Sequence, residues 1–442
     1  MKKLPGHVFP RELKKPLPIA VKAEGIWLED DAGHRYIDAS GGAVVVNVGH
    51  GRQEIAKAVY DQILNYHYIH PSMLNTPVVA ELAEGLAVHA PEGIDRFYFL
   101  TSGSEAVETA IKLARQIHLA NGRPERFRLV SRWKSYHGLT MGALSAMGRT
   151  AFRTPYAPML KDAVHIPPPY CLRCSYGLEP SSCRYRCALA LEEALENLSP
   201  DTVSAFLAET ISGGTLADYP PPAGYWKIIR DICDRYQVLL ILDEVMCGMG
   251  RTGRWFGCDH YGVQPDIMTL GKGIAGGVLP LSAVGVQRCH FEAVCEKSGA
   301  FVHGGTHTHH PVTAAAGLAV LRILEREDLV AQVEVKGKIL GALLQERLGD
   351  HPHVADVRGI GFLWGVELVK DKGTLAPFAR SDQIVERVWD AAFARGVVVY
   401  KSTGLAGRDG DAFIVAPPFI ATEADLELAV ERIHAGVQDI LG

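Results

Sequence analysis

Short apolar runs that stop at polar residues punctuate the middle of this chain. Val238-Leu239-Leu240-Ile241-Leu242 ends abruptly at Asp243-Glu244, and Asp266-Ile267-Met268-Thr269-Leu270 ends at Gly271-Lys272-Gly273. Runs this short, without alternation, fit strands buried on both faces of a parallel sheet. Residues 97–101, 128–130 and 203–208 read as further strands. Between them the period lengthens. Ile55, Val59 and Ile63 share one helical face, 78–88 repeats the pattern, and 106–114 is an amphipathic helix. Residues 26–38 alternate around Asp31-Ala32-Gly33, which predicts an antiparallel hairpin. In 40–50 the glycines allow close backbone approach and the valine run lines something apolar, with a buried strand as the plainer alternative. From about 324 the chain turns helical and charged, with strands at 359–368, 397–400 and 413–416 and a last helix over 423–440. The order of elements predicts an α/β fold, with a small α+β domain at the C-terminal end joined by the N-terminal hairpin. There is no internal repeat and no low-complexity linker.

Length adds a domain count. At 442 residues the chain exceeds one average domain. A hydrophobic content of 48% with 21% charged residues is that of a globular protein, and a net charge of −5 gives no reason to expect nucleic acid or an anionic membrane surface. Met1-Lys2-Lys3-Leu4-Pro5-Gly6 leads into no apolar leader, and no run is long enough to cross a bilayer, so cytoplasm is the expected compartment. Nine cysteines is an odd number for a secreted disulfide framework, which favours thiols. Cys171, Cys174, Cys183 and Cys187 have spacing that a tetrahedral zinc accepts, inside an irregular excursion at 167–188; the x2/x8/x3 pattern matches no mechanically justified zinc motif. The histidines of 303–310 have no carboxylate or cysteine nearby in sequence, which argues against a metal there.

The two strand ends carry the candidate chemistry. In open α/β sheets, sites form outside the carboxyl ends of strands. A lysine in a partly desolvated site loses its proton readily and forms a Schiff base with a carbonyl. A neighbouring acid such as Asp243 would keep a pyridine nitrogen protonated. Lys272 with Asp243 is the pairing that pyridoxal phosphate requires. Alone, the acid reads as a turn residue and the lysine as a solvated side chain. Gly248-Met249-Gly250-Arg251-Thr252-Gly253 is a literal G-x-G-x-x-G. The glycine- and aromatic-rich 254–262 after it is a poor helix start, so a dinucleotide site is not expected. Ser102 with Glu105 reads as a capping box, and a helix start of small residues is also an anion site.

Asp243-Glu244-Val245-Met246-Cys247-Gly248-Met249-Gly250-Arg251-Thr252-Gly253 with Leu270-Gly271-Lys272-Gly273 resembles the class III aminotransferases, and further matching segments cover nearly the whole chain. The resemblance implies a fold-type I pyridoxal-phosphate transferase. Its large domain has a mostly parallel seven-stranded sheet flanked by helices, and both termini build a smaller α+β domain. The corresponding limits are 1–60 (small domain), 61–325 (large domain) and 326–442 (small domain). It implies Lys272 as the cofactor-bearing lysine, Asp243 on the ring nitrogen, Ser102, Gly103 and Ser104 around the phosphate, and Tyr136 on the ring face with His137 beside it. Glu209 is a further site residue. Thr306 is a phosphate ligand given by the other subunit of a homodimer, or of a tetramer, and 40–50 is a wall of the substrate pocket. Where the family usually follows the glutamate with proline, this chain has Thr210, which puts that loop's shape in question.

The implied reaction is ping-pong transamination from an amine or ω-amino acid to a keto acid. Many relatives that use glutamate carry arginine three residues before the C-terminal Pro-Pro; here Pro417-Pro418 places Ile414 there. Arg408 reads either as a mobile substitute or as a solvated loop charge. Met246 stands where many relatives have glutamine. These departures favour pyruvate over 2-oxoglutarate. The alternatives are a racemase, aminomutase or decarboxylase of the same fold, or a zinc-stapled binding protein.

Overall fold

The computed structural model describes residues 7–9, 11 and 17–442; residues 1–6, read above as carrying no apolar leader, lie outside them. The central sheet has seven strands: β1 (Ile94–Leu100), β2 (Arg128–Arg132), β3 (Val164–Ile166), β4 (Val203–Glu209), β5 (Leu239–Asp243), β6 (Ile267–Leu270) and β7 (Ser282–Gln287). Their spatial order is β1-β7-β6-β5-β4-β2-β3. Only β7 runs against its neighbours. The carboxyl ends of β1, β2, β4, β5 and β6 therefore open on one edge.

Every residue of β4 and β5 is buried. Successive side chains of a strand point to opposite faces. Accordingly Ala205, Leu207, Leu239 and Ile241 pack with Ala106, Val107 and Ala110 of the helix Gly103–Ala120. Phe206, Ala208, Leu240 and Leu242 join the larger core with Trp226, Ile229 and Leu321 on the opposite side. Helices on both faces explain why these strands read as unbroken apolar runs.

The termini meet in a second sheet, where Ala20–Glu24, Trp27–Asp30 and Arg35–Asp38 are followed by Val397–Val398, parallel to the last of them. A third, antiparallel sheet orders Val354–Ile360, Leu363–Leu368, Asp409–Val415 and Tyr400–Ala406. It packs on the loops beyond the central sheet's carboxyl edge. A Cβ on Gly365 would lie 1.9 Å from the Ala217 carbonyl oxygen, so only glycine admits that approach.

The strand alternative in 40–50 does not form. Gly41 and Gly42 take φ of +54° and +64°, and the chain makes a kinked helical turn, Gly41–Val44. Valine content alone does not outweigh two left-handed glycines. The G-x-G-x-x-G turn opens no α-helix; a 3-10 turn, Gly257–Tyr261, follows it. Cys171, Cys174, Cys183 and Cys187 line one small pocket of the excursion with free thiols. Among the described residues no three His, Cys, Asp or Glu are grouped as metal ligands. None of the described helices is long and apolar enough to cross a membrane.

Among the histidines without a carboxylate partner, His118 is buried and His165 half-buried. His118, 2% exposed, shares a hydrogen bond of 2.8 Å with the Ser204 carbonyl, and His165 stacks on Trp133. Burial pushes both down to about 4. The unfolded chain, with histidines near ~6.5, then binds more protons than the folded one between these values. Stability is complete above that window and falls as pH drops through it, by up to about 3 kcal/mol for each histidine. Urea unfolding at pH 7 and pH 4 checks this; equal stabilities contradict it.

Candidate active site

The five open strand ends bring together residues far apart in sequence. At β5, Asp243 is 4% exposed. Its Oδ2 accepts from His137 Nδ1 at 2.7 Å, and its Oδ1 from the Thr269 hydroxyl and the Val245 N–H, both at 3.1 Å. On the other side of the ring, His137 Nε2 lies 3.4 Å from the Ser131 hydroxyl. The carboxylate is thus aimed by residues of β2, β6 and the loop after β2.

At β6, Lys272 takes φ +45°, rare for a residue with a Cβ. No hydrogen bond is made by its ammonium among the described residues, and the residue keeps partial exposure. Desolvation holds its pKa below the ordinary lysine value; Asp243, the largest opposing influence, raises it, with Glu209 and Asp218 next. A lysine so placed is an available nucleophile and base.

At β1, the capping box forms: Ser102 Oγ accepts the Glu105 N–H at 3.3 Å and the Glu105 carboxylate accepts the Ser102 N–H at 3.0 Å. That leaves the N–H groups of Gly103 and Ser104 free at the helix start. The cradle is tight. A Cβ on Gly103 would lie 3.0 Å from Val245, and one on Gly138, at φ +110°, 2.3 Å from Ser104 Oγ. Ser104 Oγ accepts the Leu139 N–H at 3.0 Å, which leaves its own proton to give.

At β4, Glu209 is buried and its pKa raised by desolvation. Its two oxygens accept the N–H groups of Tyr136 (3.1 Å) and Gly213 (3.0 Å), so it ties the Tyr136 loop to the loop after β4. Tyr136 stays half-buried, with Phe152 edge-on at 6.1 Å. Thr210 answers the question raised by the missing proline. Its hydroxyl donates to Glu244 Oε1 at 2.6 Å. Glu244 also accepts the N–H groups of Gly257 (2.7 Å) and Cys258 (2.9 Å), a closing role that its place beside Asp243 did not signal. Thr269, quoted within an apolar run, gave no sequence sign of its hold on Asp243.

Thr306 is not joined to this group within the chain. It is exposed on a turn, its carbonyl accepting from the Tyr68 hydroxyl at 2.9 Å. Ile414 is fully buried, Arg408 is exposed on the hairpin turn before Asp409–Val415, and Met246 packs against Gly213.

The family described as Aminotransferase class-III matches residues 8–437. The chain belongs to this family. It is 40% identical over 434 residues to YhxA, described as an uncharacterized aminotransferase of Bacillus subtilis (strain 168), covering 96% of this chain and 92% of that one. It is 36% identical over 426 residues to the taurine–pyruvate aminotransferase of Bilophila wadsworthia, covering 95% and 91%. A thermostable (S)-enantioselective omega-transaminase from Thermomicrobium roseum superposes with a TM-score of 0.93 at 36% identity, covering 99% and 97%. The seven-stranded α/β architecture is the fold-type I arrangement, and the protein is a pyridoxal-phosphate-dependent aminotransferase. The free lysine amine, the fixed acid and the unfilled helix-start N–H groups suit that cofactor's aldehyde, ring nitrogen and phosphate.

Proposed function

We propose that this class III aminotransferase moves an amino group from an amine or ω-amino acid to a keto acid, pyruvate in preference to 2-oxoglutarate, by a ping-pong exchange. One observation carries the reading: Lys272, unpartnered and desolvated, stands within the electrostatic reach of a fixed Asp243 at the sheet's open edge. Pyridoxal phosphate, when bound, supplies an electron sink for the carbon losing its proton. Lys272 bears the cofactor and then takes and returns that proton. Asp243 holds negative charge at the ring nitrogen, oriented by His137. The Gly103 and Ser104 N–H groups and the Ser102 and Ser104 hydroxyls hold the phosphate, Tyr136 covers the ring, and Glu209 keeps the Tyr136 loop in place. A second subunit adds Thr306 to the phosphate site of a homodimer.

Pyruvate is favoured because Ile414, inside the strand Asp409–Val415, stands where relatives that use glutamate carry the arginine that clamps the α-carboxylate. The relative named taurine–pyruvate aminotransferase points the same way. The test loads the protein with pyridoxamine phosphate and follows its visible spectrum on adding either keto acid, so no amine donor need be known. Pyruvate should react at least about tenfold faster at equal low concentration, a difference of ~1.4 kcal/mol. Faster reaction with 2-oxoglutarate defeats the preference, and reaction with neither defeats the transamination reading.

A further inference from the structure

Beside Tyr136 and Phe152 stands a cation whose charge no described carboxylate answers. Arg149 lies at the end of the segment that backs the Tyr136 loop: the Lys134 N–H donates to the Gly148 carbonyl at 3.0 Å, and the Gly148 N–H to the Ser135 carbonyl at 3.2 Å. Its guanidinium lies over Phe152 at 4.9 Å, and Phe152 stands edge-on to Tyr136. Only Nη2 is used. It donates to the Thr403 hydroxyl at 3.0 Å and carbonyl at 3.3 Å. Nε is buried with no partner, and Nη1 makes no hydrogen bond among the described residues. No described carboxylate forms an ion pair with it; the charged or titratable groups that act on it most are Tyr400, Tyr136, Arg11 and Arg380. The side chain nevertheless keeps partial exposure.

Other cations of this region have carboxylate or carbonyl partners. Lys134 donates to the Leu405 carbonyl, Arg358 and Arg173 pair with Glu367, and Arg251 donates to three backbone carbonyls. A buried Nε–H without a partner is costly, and the unused Nη1 amino group is a donor that a carboxylate answers. Its location also fits. Thr403 belongs to Tyr400–Ala406, the strand paired with Asp409–Val415, where Tyr400 faces Ile414. Arg149 thus rests on the strand next to the one that lacks the arginine.

We infer that Arg149 is the fixed anchor for the carboxylate of the keto acid and of the amino acid formed from it, received on its unused Nη1–H groups. This deepens the reading given above and rests on it. A fixed guanidinium holding one carboxylate, in place of a mobile one, admits a monocarboxylic acceptor.

Arg149→Met keeps the stem over Phe152 and removes the fork. With both proteins loaded with pyridoxamine phosphate, the variant should react with pyruvate about 10- to 100-fold more slowly at low concentration, as expected for the loss of charged hydrogen bonds. Reaction with propanal, a carbonyl compound without a carboxylate, should stay within twofold. Arg149→Lys should recover part of the pyruvate rate, and Arg408→Met should leave it unchanged. Calorimetric titration of the holoenzyme with acetate gives a readout independent of turnover: wild type binds and Arg149→Met binds correspondingly more weakly. An unchanged pyruvate rate in Arg149→Met, an equal loss for propanal, or a loss in Arg408→Met instead overturns the assignment. If wild-type protein reacts with neither carbonyl compound, the transamination reading fails, while the acetate titration still decides the anchor.

Discussion

Lys272→Ala abolishes amine transfer and removes the visible absorption band of the holoenzyme. The structure argues for a loss of about 10⁴ or more in turnover, because one side chain combines two roles, nucleophile and proton carrier. No other amine can substitute for it. Lys134, the other buried lysine of this region, is pushed down to about 8 by desolvation, but it is committed to the Leu405 carbonyl. The fold should survive the change. Lys272 forms no hydrogen bond among the described residues, so alanine leaves no partner unsatisfied, and it relieves the protein of a desolvated ammonium. Melting temperature measured without added cofactor should therefore not fall. Spectra of the two purified proteins, before and after borohydride, together with the single-turnover assay, check the expectation. A variant that keeps the band, or turns over within tenfold of wild type, removes Lys272 from its assigned place.

The parts of this site that were legible in the sequence are those fixed by strand ends. The unbroken run before Asp243 and the run before Lys272 are buried strands because helices cover both faces of the sheet. The hairpin at 26–38 was legible for the opposite reason: it alternates. Its third strand, Ala20–Glu24, is mostly exposed and left no apolar pattern to find. The 40–50 segment shows where composition misleads. Valines favour a strand only if the backbone is free to extend, and Gly41 and Gly42 turn it instead. What lay beyond reach was pairing at long range. His137 and Asp243 are 106 residues apart, and Arg149 and Thr403 are 254. Nothing local to either residue announces such a contact. The unused edge of Arg149 exists only once the third sheet has docked.

Asp243→Asn should leave the cofactor band in place while lowering turnover by about 10²–10⁴, the range found when one preorganised charge or proton-handling group is removed. The substitution is nearly isosteric, and an amide oxygen can still accept from the Thr269 hydroxyl and the Val245 N–H, so position is conserved and charge is not. Lys272 and the helix-start N–H groups at Gly103 and Ser104 do not depend on that charge to hold the cofactor. Binding and catalysis should therefore separate in this variant, whereas Lys272→Ala loses both. The charge also acts on Lys272 itself: Asp243 is the strongest of the groups that raise the lysine's pKa against desolvation. Removing it leaves desolvation less opposed, so the lysine's pKa falls and the lower-pH limb of the activity profile moves toward acid. A pH profile of the residual single-turnover rate reads that shift separately from the drop in rate. His137→Ala should slow turnover less, since it loosens the carboxylate without neutralising it. An Asp243→Asn protein with wild-type rate and an unmoved profile would leave the carboxylate a purely structural one, held by three hydrogen bonds at a strand end for no chemical purpose.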